Sequence, residues 1–417
     1  MAKYSIILPV RNAGEYLPTC VETIISQNYD DYELIISNNH SSDGTRAYLE
    51  TLSHPKIKKI SPPQVLCMVD HFEWTLSHAR GDWCLFLGAD DGLQPYFFEL
   101  ADHLTAVAEK KGLRAINSSR AHFFWKGCEA GYGNEMVTFS AKPIVTIEHT
   151  IVQVLITLLK GKDYFDLPQM YTTALFRKDL IEQAKGLQNG RFYTSLTPDA
   201  NGAAVVCSLD RRYLGCKIPL GWVGSSPKSN GYSASGKVGN AEPTKEIDTA
   251  VCADFNALNL CSNIKWNDRA GTQDIFSMTL IFWESMLQSY RLQSGSMRRM
   301  IVSKLMKTLM FGAVLREIQS AKDKTPARLV CLCKTIERNQ CSLQMAKLAA
   351  GLSPLIRKIA KYMEKITTRT VSKSKNRARL VLSRADHANF DLGMASSMVD
   401  ALNKKEKFVE RLVLSKS

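Results

Sequence analysis

The sequence predicts an α/β protein with a mixed, mostly parallel sheet flanked by helices, followed by an appended basic α-helical C-terminal domain. Three observations support this prediction. Short apolar runs alternate with amphipathic segments over the first 120 residues, polar residues follow several of these runs, and the last third is helical in pattern and rich in Lys and Arg. Repeated strand–helix units of this kind form parallel sheets covered by helices.

The individual elements follow from local patterns. Tyr4–Val10, Tyr32–Ser37 and DWCLFLG are predicted strands with apolar runs, KIKKI is a short third strand, and shorter β-like patterns run from Ala115 to Phe139. Helical spacing predicts helices over Gly14–Gln27, VDHFEWTLSHA and residues 148–160. A further helix is capped by Ser42 or Asp43 and ends at Leu52. The segment QPYFFELADHLTAVAEKK is also helical, with Pro95 near its first turn. The carboxyl ends of the strands are therefore the expected ligand-binding edge.

The stretch WCLFLGADDG, from Trp83 to Gly92, ends an apolar strand with two adjacent carboxylates, Asp90 and Asp91. One interpretation is a turn, which Asp-Gly favours. The other is a site where carboxylates hold a divalent cation against phosphate groups. The strand alone does not decide between them.

Charge divides the chain unevenly. Residues 286–417 carry a net charge of +18, whereas residues 1–285 carry −4. We therefore expect two domains, at 1–243 and 244–417. For the basic domain the candidates are adsorption to an anionic membrane surface, oligomerisation or partner docking, and nucleic-acid binding, for which no recognised module is present.

Other features indicate the class of protein. The chain has 11 cysteines without a regular framework, which favours reduced thiols in a cytosolic protein. The N-terminal apolar run is too short for a signal peptide, and no apolar run has transmembrane length. We expect a cytoplasmic protein that associates peripherally with the inner face of the membrane.

The segments SIILPVRNAGEYLPTCVETIISQNYDDYELIISNNHSSDGT and ARGDWCLFLGADDGLQP together resemble the family 2 glycosyltransferases of the GT-A fold. The resemblance covers roughly residues 3–110, and a looser one continues through SLTPDANGAAVV and IPLGWVGSSPKSNG. It implies an inverting enzyme that takes a sugar from a nucleotide-diphosphate sugar. The acceptor it implies is a saccharide or a lipid-linked molecule in envelope polysaccharide or glycolipid synthesis.

For the donor nucleotide, the resemblance implies base contacts from Pro9 and Arg11. The family usually has an acidic pair after the second strand, where this chain has Asn38 and Asn39. An Asn oxygen can still accept a hydrogen bond from a base imide, so Asn39 is the expected base contact. UDP is the favoured nucleotide, although this departure leaves the base open.

The resemblance implies that the ADDG motif holds Mg²⁺ or Mn²⁺, with Asp91 as the direct ligand. Asp90 is expected to contact the ribose or to support the metal from outside its coordination sphere. Gly88 stands where many members carry the first Asp of this element. A cation here would stabilise the departing nucleotide.

An inverting transferase needs a general base, and Asp199 in TPDANG best matches the family's acidic residue. The competing interpretation is an acid that stabilises the start of a helix at 199–208. Asp163 and Asp166 are further candidates for the base.

A Gly- and Ser-rich stretch at 221–240 is too polar for a core. We expect either a disordered loop or a flap that closes over the site. Within it, Ser226, Lys228, Ser229 and Asn230 are candidate donor or acceptor contacts.

The sequence thus predicts a metal-dependent glycosyltransferase of hexosyltransferase type, with possible homo-oligomers and without a nucleic-acid partner. The first alternative is a catalytically degenerate protein that binds nucleotide or glycan without turnover. The second is a sugar-1-phosphate nucleotidyltransferase, which would need more than the single Gly14 in LPVRNAGEYLP.

Overall fold

The computed structural model describes residues 2–160, 164–195, 197–229 and 282–414, apart from gaps in the last range at 284, 288, 321–325, 353, 356–357, 360–361, 363–376 and 385–389. Within these ranges no helix is both long and apolar enough to cross a membrane. The candidate residues Asp163 and Asn230, and most of the predicted flap, lie outside the described residues.

An eight-stranded sheet forms the centre of the molecule, with strand order β3-β2-β1-β4-β10-β6-β11-β9. Its strands are β1 Tyr4–Val10, β2 Tyr32–Asn38, β3 Ile57–Ile60, β4 Trp83–Phe86, β6 Ala115–Ser118, β9 Val145–His149, β10 Ala174–Arg177 and β11 Arg212–Cys216. The β3-β2, β2-β1, β1-β4 and β6-β11 pairs are parallel, whereas β10 and β9 pair antiparallel with their neighbours. The predicted mixed α/β sheet is confirmed.

The helices predicted from apolar spacing cover this sheet. They are α1 Leu17–Ile25, α2 Thr45–Thr51, α3 Met68–Leu76 and α4 Phe97–Lys110. Pro95 precedes the last of them rather than lying in its first turn. The apolar side chains of α1, including Cys20, Val21 and Ile24, are fully buried in the same core as β1 and β2, which explains their helical spacing.

A second, five-stranded sheet has the order β13-β8-β7-β12-β5. Its strands are β5 Gly92–Leu93, β7 Ala121–Phe124, β8 Glu135–Ala141, β12 Gly221–Ser225 and β13 Ala378–Ser383. Because β5 and β7 directly follow strands β4 and β6 of the first sheet, this second sheet begins at the carboxyl edge of the first.

The C-terminal end of the chain corrects the expectation of a separate, all-helical domain at 244–417. Strand β13 pairs with β8, and two helices that follow it, Leu392–Glu406 and Phe408–Leu414, bury Leu392, Val399 and Leu412 in the core of the N-terminal part. The indole of Trp222 also donates to Ser396 Oγ at 3.0 Å. Apolar residues at the chain's end therefore complete the first core, although the charge pattern sets this end apart.

The helices at 295–351 share a second core with two helices of the N-terminal part. They are α9 Gly295–Val302, α10 Lys304–Ser320, α11 Pro326–Arg338 and α12 Leu343–Gly351, and their partners are α6 Thr150–Lys160 and α8 Pro198–Leu209. Helix α7, Lys178–Leu187, packs on the first sheet. This second core fixes the start of α8, where Asp199 lies.

Candidate functional site

The carboxylate of Asp91 lies at the end of β4 and is almost completely enclosed. It is 1% exposed. It accepts hydrogen bonds from the amides of Gly88 and Gly224 at 2.7 Å each and from Thr172 Oγ1 at 2.9 Å. Burial and the neighbouring charge of Asp90 raise the pKa of Asp91 to about 7, against the opposing effect of these donors. We call Gly88, Asp91, Thr172 and Gly224 the Asp91 clasp, because it ties three separate chain segments together.

The glycines of the Asp91 clasp are required by close approach. A Cβ at Gly224 would lie 1.7 Å from the carbonyl oxygen of Asp90. A Cβ at Gly88 would lie 2.3 Å from the hydroxyl of Tyr171. The place where many family members carry a first Asp is therefore filled by a tyrosine hydroxyl, which hydrogen-bonds Asp91.

The segment that carries Tyr171 and Thr172 runs beside the end of β4 in an unusual conformation. The Phe86 amide donates to the Met170 carbonyl at 3.2 Å, and the Thr172 amide donates to the Phe86 carbonyl at 2.7 Å. Met170 has φ 50° and Thr172 has φ 43°. A β-branched residue in the left-handed region is strained, and such strain persists only where the surroundings enforce it. Here the Asp91 clasp and the two backbone bonds hold the segment.

Asp90 differs from Asp91 in having an oxygen without a partner. Its Oδ2 is buried and accepts no hydrogen bond, while Ser226 bonds the rest of the carboxylate. Burial raises the pKa of Asp90, against the hydrogen bonds from Ser226. The backbone carbonyl of Asp90 accepts from Trp125 Nε1 at 2.9 Å. The geometry therefore makes Asp90 the better candidate for a direct metal or donor contact and gives Asp91 a holding role, the reverse of the predicted assignment.

The fit of a divalent cation can be tested on this donor set. No group of three or more His, Cys, Asp or Glu side chains able to hold a metal is present among the described residues. Mg²⁺ is commonly bound by one or two carboxylates together with substrate phosphates rather than by a protein cage. The unpartnered oxygen of Asp90 fits such a site.

The residues predicted to contact the nucleotide base differ in their exposure and in their hydrogen-bond partners. Pro9 is half-buried near the end of β1, and Arg11 is exposed beyond it. Arg11 lies near the buried His71, whose pKa falls to about 4 because of burial and the Arg11 charge. The side-chain Nδ2 of Asn39 donates to the backbone carbonyl of Leu66 at 2.7 Å, and its Oδ1 accepts from the backbone amide of Leu66 at 2.9 Å. Asn39 thus holds the loop before α3 through both polar atoms of its side chain.

The first five residues of the predicted loop or flap, Gly221–Ser225, instead form strand β12, and Trp222 is fully buried, so the stretch is not too polar for the core there. The residue that follows lies against Asp90. Ser226 is 1% exposed and follows β12 directly. Ser229 donates to the Ser226 carbonyl through its amide at 3.0 Å and its hydroxyl at 2.8 Å. Lys228 Nζ lies 3.9 Å from Glu15 Oε2 and 5.9 Å from the ring centre of Tyr16. These residues anchor the loop beside the carboxylates.

Asp199 lies in the first turn of α8, directly after Pro198. Its Oδ2 accepts from the hydroxyl of Tyr164 at 2.9 Å, and its Oδ1 accepts from the Ala200 amide at 2.8 Å. Burial raises the pKa of Asp199, against these hydrogen bonds and the charge of Arg120. The alternative base Asp166 is exposed.

Tyr171 joins the two acidic sites. Burial and the charges of Asp91, Asp90 and Asp199 raise the pKa of the Tyr171 hydroxyl well above its usual range. The predicted metal motif and the predicted base therefore both lie close enough to this tyrosine for their charges to act on it.

Sequence reasoning missed Trp125, Tyr171, Thr172 and Gly224. The pattern GWVGS offered a signal for Gly224, since a glycine inside a strand marks a close backbone approach. Tyr171 and Thr172 carry no such signal, because their position depends on left-handed backbone conformations that the sequence QMYTT does not predict.

Comparison with known proteins gives a family match for part of the chain. The model of glycosyl transferase family 2 matches residues 5–127. A PGL/p-HBAD biosynthesis glycosyltransferase of Mycobacterium bovis is 33% identical over 109 residues, which cover 25% of this chain and 40% of the relative. The matched segments of the first curated relatives make up 35% and 40% of their lengths.

Two solved structures that align with most of this chain share little sequence with it. The S. aureus TarS 1–349 complex with UDP-GlcNAc has a TM-score of 0.42 at 13% identity, covering 88% of this chain and 90% of that one. The mannosyltransferase PcManGT from Pyrobaculum calidifontis, in complex with GDP-Man and Mn²⁺, has a TM-score of 0.36 at 14% identity, with 87% of each chain covered.

Proposed function

We propose that this chain, whose residues 5–127 belong to glycosyl transferase family 2, transfers a sugar from a nucleotide-diphosphate sugar to a hydroxyl acceptor with inversion. The observation that carries the proposal is the buried, unpartnered oxygen of Asp90 at the end of β4, with Asp199 near enough for its charge to act on the neighbouring Tyr171. One carboxylate then serves the donor diphosphate and the other serves the acceptor.

In the proposed reaction, the acceptor hydroxyl attacks the anomeric carbon and loses its proton to Asp199. The bond from that carbon to the diphosphate oxygen breaks, and the nucleoside diphosphate departs with the bonding electrons. The raised pKa of Asp199 suits it to accept a proton. Asp90 would hold Mg²⁺ or Mn²⁺, and such an ion would offset the charge of the departing diphosphate.

UDP remains the favoured donor nucleotide and a hexose the favoured sugar. The proposed acceptor is a saccharide or lipid-linked molecule in envelope polysaccharide or glycolipid synthesis. The name of the mycobacterial relative, a PGL/p-HBAD biosynthesis glycosyltransferase, supports a glycolipid acceptor.

A degenerate binding protein is the second candidate, because Tyr171 fills the place of the first family Asp and Asn39 is committed to Leu66. Calorimetric titration of UDP, GDP, dTDP and CDP, with and without Mn²⁺, tests nucleotide binding. An assay of donor hydrolysis then separates the two candidates. We expect one nucleotide to bind the wild type with metal, and Asp90→Ala to lose that metal dependence. Glu50→Ala, at an exposed acid paired with Arg46, is the control. Binding without any hydrolysis or transfer would favour the degenerate protein.

The proposed membrane-facing surface lies on α12. Met345, Leu348 and Leu352 are 44–52% exposed at helical spacing, and Lys347 is exposed beside them. An exposed apolar stripe flanked by cations favours the interface of an anionic bilayer. We expect wild type to float with phosphatidylglycerol vesicles and Leu348→Glu not to. Val330→Glu, at a position 52% exposed on α11, is the matched control. Equal flotation of all three proteins would contradict this surface.

A further inference from the structure

Arg120 occupies the short turn between β6 and β7, at the carboxyl edge of the first sheet. Its guanidinium carbon lies 4.3 Å from the ring centre of Phe165. The Nη2 atom of Arg120 also donates a hydrogen bond to Gln169 Oε1 at 2.8 Å. Stacking and a hydrogen bond together fix the plane of the guanidinium, which an ammonium group could not match.

Gln169 connects Arg120 to the residue that bonds Asp199. It is 1% exposed, and its Nε2 donates to the Tyr164 carbonyl at 3.1 Å. The Tyr164 hydroxyl in turn donates to Asp199 Oδ2. The orientation of the Gln169 amide is determined by both ends, because a reversed amide would place its NH₂ against the guanidinium. A connected chain of groups therefore runs from Arg120 to Asp199.

We propose that Arg120 is a positioning residue for Asp199, holding its carboxylate for proton abstraction through Gln169 and Tyr164 and acting on it with a positive charge. The inference rests on the proposed function, since Asp199 acts as a base only in that reaction. It adds a residue from the β6–β7 turn, which the sequence did not single out.

The charged and titratable groups around Asp199 agree with this role. Tyr164 bonds it from the turn Tyr164–Asp166, and the Asp199 charge acts on Tyr171 in the strained segment and on Tyr193 in the segment before α8. Burial and nearby acids raise the pKa of Tyr171 and Tyr193 well above their usual values, so both stay neutral. Arg120 opposes the effect of burial on Asp199.

The positive charge of Arg120 also acts on His122. It lies on β7, two residues after Arg120, and its pKa falls to about 4 because of burial and then the Arg120 charge. It is therefore neutral near pH 7 and does not compete with Arg120 as a cation.

The test compares Arg120→Gln and Arg120→Lys with the wild type in transferase assays across pH. Removing the charge raises the pKa of Asp199, so the base becomes protonated at a higher pH. We expect the acidic limb of the kcat/KM profile to move up by about one pH unit in Arg120→Gln. Arg120→Lys should restore the limb but not the full kcat, because lysine lacks the planar stack.

The matched control is Arg114→Gln, which removes a half-buried arginine that pairs with Asp210 away from Asp199. It should lower stability without moving the acidic limb. An unmoved limb in a folded Arg120→Gln protein overturns the inference, as does an equal shift in Arg114→Gln.

A second measurement keeps the inference separate from the proposed function. In protein labelled with carboxyl-¹³C aspartate, the Asp199 signal is assigned by its loss in Asp199→Asn and is titrated directly. If the wild type transfers no sugar but Arg120→Gln raises the pKa of Asp199, the proposed reaction fails, whereas the effect of the Arg120 charge on Asp199 stands. If the pKa of Asp199 does not change, the inference fails whatever the activity.

Discussion

The two acidic sites at the carboxyl edge are built in different ways. Asp91 is enclosed by donors from residues 88, 172 and 224, two of them backbone amides. Asp199 is half-buried and receives one side-chain donor and the amide of the next residue. A carboxylate that joins three chain segments acts mainly on structure, whereas one held at a helix start keeps room to exchange a proton.

Asp199→Asn tests the chemical side of this comparison and has the largest expected effect. Removing a general base costs about 10²–10⁴-fold in rate. We expect the loss in kcat with little change in nucleotide affinity, because the role proposed for Asp199 is toward the acceptor. Unfolding stability should be unchanged or higher, since a half-buried charge is removed. Activity lost in Asp166→Asn instead would move the base to that residue.

Asp91→Ala tests the structural side. It leaves two buried amides and the Thr172 hydroxyl without their acceptor, at about 1–3 kcal/mol for each group before water compensates. We expect a loss of about 3–5 kcal/mol in urea unfolding. Asp90→Ala, which removes a buried oxygen without a partner and the hydrogen bonding to Ser226, should cost less, about 1–2 kcal/mol. Similar losses in both variants would show that the carboxylates do not differ in role.

Gly224→Ala probes the same clasp without changing a charge. The added Cβ would meet a backbone oxygen, so β12 or the β4 end must shift, at a cost of about 2–3 kcal/mol. Gly186→Ala in α7 is the control, because its Cβ would meet nothing within 4 Å and alanine favours a helix by about 0.5–1 kcal/mol. Equal stability of the two variants would contradict the close approach.

The same contrast explains how much of the molecule could be predicted. Buried strands and amphipathic helices up to residue 110 follow from local apolar patterns, and Asp90 and Asp91 follow from their place after β4. The contacts that separate the roles of these two acids come from Thr172 and Gly224, more than 80 positions away along the chain. No local pattern encodes which of two adjacent carboxylates meets them.

The C-terminal end differs from its prediction for a related reason. Composition separates 286–417 by charge and predicts a separate domain. Pairing between β13 and β8 spans more than 230 residues, and the six residues of β13 carry only three large apolar side chains. Charge patterns report on the surface, whereas the core is shared between distant segments.

Thr172→Val carries the smallest expected effect and separates hydrogen bonding from shape within the Asp91 clasp. Valine keeps the branched shape at φ 43° but removes the hydroxyl that bonds Asp91, so we expect a loss of about 1–2 kcal/mol in urea unfolding. Thr172→Ser keeps the hydroxyl and relieves the β-branched strain, and should lose less than Thr172→Val. At the other site, Tyr164→Phe removes the donor to Asp199, and the acidic limb of activity should then move to higher pH. If Thr172→Val instead moved the acidic limb and Tyr164→Phe left it in place, the two carboxylates would have exchanged the roles assigned to them.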